Sequence, residues 1–160
     1  MRGGHPEICL YKPEIPQNTG NIGRLAAATA SRLHLIKPFG FDASDKNLRR
    51  AGLDYWPFLD LEIHDRLEDL LARFQRHEIA FFSKKGNRSC FGMTQDVKLL
   101  IFGQETKGLP DKLLEDYEDR CFQIPMYHSG VRSLNLANAA SVIVYHQIKL
   151  LEERKHVHLP

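Results

Sequence analysis

Three short stretches of this 160-residue chain concentrate the residue types that bind and react. The first is Pro16-Gln17-Asn18-Thr19-Gly20-Asn21-Ile22-Gly23-Arg24. At roughly 100° per helical residue, Ile22, Leu25, Ala26 and Thr29 form one stripe, and Arg24 lies nearly opposite it. Arg24 therefore leaves the core beside a Gly/Asn loop. It reads either as a solvated surface residue or as a phosphate or ribose contact, for which a guanidinium offers a rigid fork of donors.

The second stretch is Phe102-Gly103-Gln104-Glu105-Thr106-Lys107-Gly108-Leu109-Pro110. Gly103 and Gly108 have the spacing of a phosphate-binding P-loop. Leu109-Pro110 stands where that motif requires Lys and Ser or Thr, which excludes it. A glycine turn directly after an apolar strand still lets a ligand approach backbone amides. Glu105 is either an exposed loop carboxylate or part of a site. The third stretch runs from Ile124-Pro125-Met126 through Ser133-Leu134-Asn135 to Asn138-Ala139. Ser133 or Asn135 can cap the helix that follows, or face a ligand. Asn138 lies one turn further in, a poor place for a cap, and a buried Asn there needs polar partners.

These loops need elements to hold them. Apolar runs bounded by Lys-Pro, Gly or charge predict strands at Ile8–Tyr11, Leu33–Ile36, Ile79–Phe82, Val97–Phe102 and Cys121–Ile124, with a weaker one at Leu59–Ile63. Pro13 to Gly20 reads as a loop, and a helix is expected from Asn21 to Ser31. Further helices are expected over Lys46–Ala51, Arg66–Arg76 and Pro110–Leu114, and a last one over Asn135–Glu153, apolar almost all round and so deeply buried. The alternation predicts an α/β domain, a mostly parallel sheet with helices on both faces. Ligands of such sheets bind beyond the carboxyl ends of the strands, where all three loops fall.

Composition narrows the class. One domain over residues 1–160 is expected from the length, and 42% hydrophobic residues suffice for a core. No apolar run approaches the roughly 20 residues of a membrane helix, and the start lacks a signal-peptide stretch, so a cytoplasmic protein is expected. Cys9, Cys90 and Cys121 are odd in number and far apart. They read as small buried apolar residues, with neither a disulfide framework nor a metal ligand set. His156 and His158 read as an exposed tail. Net charge is +2, so any RNA surface must come from local clusters.

Taken together, the three stretches resemble the motifs of the SPOUT methyltransferases, in their TrmH-like branch. The first matches N-x-G-x-x-x-R at Asn18, Gly20 and Arg24, and the second matches F-G-x-E-x-x-G-L throughout. The third matches at Ile124–Met126 and Ser133–Ala139. Leu48-Arg49-Arg50-Ala51-Gly52-Leu53-Asp54-Tyr55 is similar to the minimal members that act on the tRNA wobble nucleotide. The likeness spans essentially the whole chain.

The resemblance implies what periodicity does not: an α/β-knot fold whose C-terminal part forms a trefoil knot around the cofactor, in a homodimer. Ala27 and Ala28, off the core stripe, would allow close approach of the partner. It implies S-adenosylmethionine, held by Phe82, Gly103, Ile124, Met126, Ser133, Leu134 and Asn138, with no metal. An apolar, neutral slot suits adenine, and a fixed cation beside the sulfonium would be unfavourable. Arg24 is implied to be catalytic, as base or as stabiliser of the alkoxide, with Asn18, Glu105, Ser133 and Asn135 orienting substrate and loops. The implied substrate is a tRNA anticodon loop, methylated at the 2′-oxygen of cytidine or uridine 34. Lys46, Arg49 and Arg50, and Lys84, Lys85 and Arg88, are the candidate RNA contacts. The alternatives are another tRNA position or ribosomal RNA, an inert RNA-binding module, or a nucleotide hydrolase, which the glycine loop disfavours.

Overall fold

A computed structural model describes residues 4–42 and 55–157. Its strands are β1 (Glu7–Tyr11), β2 (Leu33–Ile36), β3 (Leu61–His64), β4 (Ile79–Phe82), β5 (Arg88–Ser89), β6 (Leu99–Phe102) and β7 (Cys121–Gln123). The helices are α1 (Pro16–Ala28), α2 (Leu67–Leu71), α3 (Asp111–Asp116) and α4 (Leu136–Val157), joined in places by single 3-10 turns. The strands form one sheet in the order β3-β2-β1-β6-β4-β7-β5, every pair parallel.

The strand sequences explain the layering. β2, β4 and β6 are buried at every position, as a parallel sheet covered on both faces requires. Alternate side chains serve opposite layers. Ile8, Leu10, Leu100 and Phe102 pack on one face with Ile22, Leu25 and Ala26 of α1 and Ala140, Ile143 and Val144 of α4. Cys9, Leu99, Ile101 and Phe81 pack on the other with Leu67 and Leu70 of α2 and, at the margin, Leu113 and Leu114 of α3. Each fully buried Leu, Ile or Phe stabilises the fold by about 1.5–3 kcal/mol. Truncating Leu100, which is wholly enclosed, to Ala would cost about 2–5 kcal/mol. The three cysteines are buried and free, as expected, and burial raises the Cys9 thiol pKa far above its ordinary value.

Several boundaries move. The first helix starts at Pro16 rather than Asn21, so Asn18, Thr19 and Gly20 are helical and buried. Proline at the first helical position needs no N–H partner, and the acceptor at this helix start comes from elsewhere in the chain. The expected Arg66–Arg76 helix ends at Leu71. Arg73 and Phe74 bond three residues back, to Leu70 and Leu71, tightening the turn. The two-residue strand β5 was not expected. The last helix is not buried all round: Val142 and Tyr145 are 41% and 57% exposed, because only the face with Ala140, Ile143, Val144 and Gln147 meets the sheet layer. The expected Lys46–Ala51 helix lies outside the described residues.

Candidate active site

The three motif loops meet through two side chains. The Glu105 carboxylate, in the loop after β6, accepts from the backbone N–H of Glu14 (2.9 Å) and Ile15 (3.0 Å) and from the side-chain amide of Asn18 (3.4 Å). Ile15, which precedes α1, offers no side-chain cap of its own. A carboxylate at that end also complements the helix dipole. On the other side, the Asn18 side-chain oxygen accepts from Asn135 Nδ2 at 3.0 Å. Asn135 Oδ1 in turn accepts from the N–H groups of Ala137 (2.9 Å) and Asn138 (3.3 Å), capping α4. Asn135 thus caps α4 and also lines the adjoining cavity. Glu14 returns the tie: its carboxylate accepts from Thr106 N and Oγ1 at 2.8–2.9 Å.

Around this chain of bonds lies a cavity of about 490 Å³ at the carboxyl ends of β4, β6 and β7. Phe82, Phe102, Ile124, Met126, Leu134 and Leu136 supply apolar wall, and Asn18, Gly103, Glu105, Ser133 and Asn135 also line it. Thus Asn18, Glu105, Ser133 and Asn135 gather at one opening with six of the seven expected cofactor residues.

The seventh is Asn138. It is exposed and does not line the cavity, since the first turn of α4 turns it outward while Ala137 and Ala140 face the core. Gly103 is also hemmed in by its own loop. A Cβ there would lie within 2.6 Å of the Leu109 nitrogen and 2.8 Å of Gly108 Cα. The glycine lets its own loop close, with Gln104 and Gly108 exchanging backbone bonds of 3.1 and 2.9 Å and Gly108 at φ +66°. The lining is also less neutral than expected, for Lys84, Lys85, Lys107 and Arg132 reach it. All four are exposed, so they sit at the wet rim rather than in the apolar slot.

Arg24 is exposed, as its helical angle predicted, and does not line the cavity of its own chain. Its guanidinium lies 5.3 Å from the centre of the Tyr55 ring. The Tyr55 hydroxyl donates to the Gly20 carbonyl oxygen, so one buried tyrosine ties the helix backbone to the ring beneath Arg24. Burial pushes the Tyr55 phenol above its ordinary pKa, against a smaller opposing pull from Arg24, which keeps it a donor at neutral pH. Sequence reasoning missed Tyr55 and Glu14. Tyr55 closes the Leu48–Tyr55 stretch, the one signal that pointed near it; nothing local marks Glu14.

The two basic segments differ in what is visible. Lys46, Arg49 and Arg50 lie outside the described residues. Lys84, Lys85 and Arg88 are exposed, but two are already engaged. Lys85 pairs with Asp111 at 2.6 Å, and Arg88 donates to the Asp119 carbonyl at 2.8 Å while lying over the Phe122 ring.

Residues 6–145, most of the chain and all three motif loops, match the SpoU rRNA Methylase family. The chain belongs to that family. Among SpoU relatives it is 44% identical over 140 residues to the tRNA (cytidine(34)-2'-O)-methyltransferase of Saccharophagus degradans, covering 86% of this chain and 90% of the relative. It is 41% identical over 141 residues to the enzyme of that name from Methylovorus glucosotrophus, covering 87% and 91%. A solved structure concerned with 2-OH methylation of C/U34 on tRNA superposes with a TM-score of 0.86 at 42% identity, over 95% of this chain and all of that one. The SpoU methyltransferase AviRb from Streptomyces viridochromogenes, in complex with AdoMet, superposes with a TM-score of 0.76 at 25% identity, over 98% and 63%.

Proposed function

We propose that this SpoU-family chain transfers the methyl group of S-adenosylmethionine to the ribose 2′-hydroxyl of nucleotide 34, cytidine or uridine, in tRNA. The observation that carries the reading is the Glu105–Asn18–Asn135 chain of hydrogen bonds, which joins the three motif loops at one cavity. The names and coverage of the relatives support the substrate. In this reading residues 1–160 are one domain, its C-terminal part is knotted around the cofactor, and the enzyme works in the cytoplasm without a metal in its active site.

The cavity fits the cofactor's chemistry. Its apolar wall of Phe82, Phe102, Ile124, Met126 and Leu134 suits an adenine face, and its cationic rim suits a carboxylate. S-adenosylmethionine, when bound, supplies an electrophilic methyl group on a sulfonium. The chain's own residues then have two tasks. Glu105, Asn18 and Asn135 fix the loops so that the ribose oxygen can approach in line. Arg24 stabilises negative charge developing on that oxygen, a role its contact with the Tyr55 ring favours by supporting a cation there. The 2′-oxygen would form its bond to the methyl carbon as the carbon–sulfur bond breaks, S-adenosylhomocysteine would leave as a neutral thioether, and the hydroxyl proton would pass to water.

Arg24 lies outside its own chain's cavity, which supports a homodimer in which each Arg24 serves the partner's cofactor. The exposed Ala28 of α1, and Val142 and Tyr145 of α4, provide an apolar surface on neighbouring helices. Lys84, Lys85 and Arg88, with the Lys46, Arg49 and Arg50 segment, are the proposed RNA contacts.

The test is nucleoside mass spectrometry after incubating tRNA, protein and cofactor carrying a labelled methyl group. Label on the ribose of nucleotide 34 is expected, and a tRNA with a 2′-deoxy sugar there should accept none. Label on a base would overturn the reaction, and label on another ribose would overturn the site of action.

A further inference from the structure

At the far edge of the sheet, two adjacent strands bring together side chains that no part of the proposed reaction uses. His34 of β2 pairs with Glu62 of β3, and His64 follows two residues later on the same face. His34 and His64 are buried, with 0% and 6% exposure. His34 Nδ1 lies 2.9 Å from His64 Nε2. The Glu62 oxygens lie 3.8 Å from each of these nitrogens. One ligand atom from each residue falls within 4.8 Å of the others. The other nitrogen of His34, Nε2, is 2.6 Å from a Glu7 oxygen.

We propose that His34 Nδ1, His64 Nε2 and a Glu62 oxygen form a binding site for one divalent transition-metal ion of the zinc type. Glu7 accepts the Nε2 proton of His34, which leaves Nδ1 as a lone-pair donor toward the cluster. A carboxylate behind a ligating histidine is the usual means of fixing its tautomer. Without metal, His64 must then donate its Nε2 proton to His34 Nδ1 across the 2.9 Å contact. Metal entry replaces that proton, which moves to His64 Nδ1 or leaves to water. Zinc–nitrogen bonds of about 2.0–2.1 Å in a tetrahedral site hold two ligating nitrogens roughly 3.3 Å apart, so the rings need separate by only a few tenths of an ångström.

Charge also favours a cation. Glu62 is held from outside by Arg73 (2.7 Å) and more loosely by Arg32 (3.7 Å). Asp60 pairs with Arg32 at 3.1 Å, and Asp69 acts on both His64 and Arg73. Four carboxylates, Glu7, Glu62, Asp60 and Asp69, thus surround two guanidiniums, leaving excess negative charge around the two imidazoles. Arg73 forks onto both Glu62 oxygens, at 3.0 and 2.7 Å. Each oxygen keeps a second lone pair for the metal. The site would clamp β3 to β2 at the open edge of the sheet, away from the methyl-transfer cavity.

The probe is Co2+, followed by Zn2+ competition, on the full chain carrying His156→Ala and His158→Ala so that the tail cannot bind. One equivalent of Co2+ is expected to give the intense visible absorption of a tetrahedral site, displaced by Zn2+, with a rise in melting temperature. His64→Asn should weaken binding at least tenfold. Glu62→Gln, at a partly exposed position, serves the same purpose if His64→Asn does not fold. Absence of stoichiometric binding to the parent, or parental affinity in a folded variant, would overturn the site. Methyl transfer by both variants is measured alongside; it should persist, and the metal result stands or falls independently of it.

Discussion

The side-chain amide of Asn135 donates to the side-chain oxygen of Asn18 at 3.0 Å, across 117 positions of sequence. Asn135 also caps α4, so one residue sets the start of the last helix and its register against the first. Asn135→Ala should lower stability by about 1–3 kcal/mol, combining a lost cap with an unpaired Asn18 oxygen. Asn135→Asp keeps the cap acceptor and loses the donor. Urea unfolding should therefore show a smaller loss for Asp than for Ala, while both reduce methyl transfer. Equal stability losses would mean the cap contributes nothing.

Arg24→Ala should leave folding and cofactor affinity nearly unchanged, because Arg24 is exposed and off its own cavity. Methyl transfer should fall by orders of magnitude. Calorimetry with S-adenosylmethionine beside single-turnover assays separates the two. A matching loss of cofactor affinity would make Arg24 a binding residue instead.

Tyr55→Phe keeps the ring beneath the guanidinium and removes the bond to the Gly20 carbonyl. Tyr55→Leu removes both. The turnover rate should fall more for Leu than for Phe, with cofactor affinity unchanged in each. Equal rates for the two variants would show that the ring does not hold Arg24.

Gly103→Ala should damage the loop before any ligand is present, since its Cβ meets the backbone of Gly108 and Leu109. A lower melting temperature and weaker cofactor binding are expected together. Full stability with lost binding would restore the simpler view that the residue makes room for the ligand.

Stability should also depend on pH through His146. Burial first, then the Lys149 ammonium, depress its pKa below the ordinary 6.5. The unfolded chain therefore takes up a proton near 6.5 while the folded chain does not. This contribution is fully present above pH about 6.5 and is lost as pH falls toward the depressed folded value. Urea midpoints should drop between about pH 7.5 and about pH 5.5, and His146→Leu should flatten part of that slope. An unchanged slope in the variant would assign the effect to other groups.

The sequence and the structure agree best where local chemistry decides. Ile79-Ala80-Phe81-Phe82 reads as a buried strand and is β4 at the same bounds. Arg24 points outward as its helical angle requires. Agreement fails where the deciding partner is remote. Asn18 and Gly20 have loop composition, yet α1 begins at Pro16, because Glu105 supplies the acceptor its start lacks. His34 and His64 carry no motif, and only the register of β2 against β3 makes them neighbours. Arg88-Ser89 has no apolar signal at all, and becomes a strand only because β7 offers an edge. The place of Asn138 in a motif likewise says nothing about which way its helix turns it, and it is exposed.

The tie between Glu105 and the start of α1 also orders the assembly of the molecule. The N–H groups of Glu14 and Ile15 wait for an acceptor 91 and 90 positions downstream. During synthesis the first helix emerges long before that carboxylate exists, and closing so distant a contact is entropically slow. The tie of Glu14, Ile15 and Asn18 to Glu105 can therefore form only once the loop after β6 has been made. The contacts that gather the three loops at the cavity also need Asn135, so they can be complete only when the chain has been made through the start of α4.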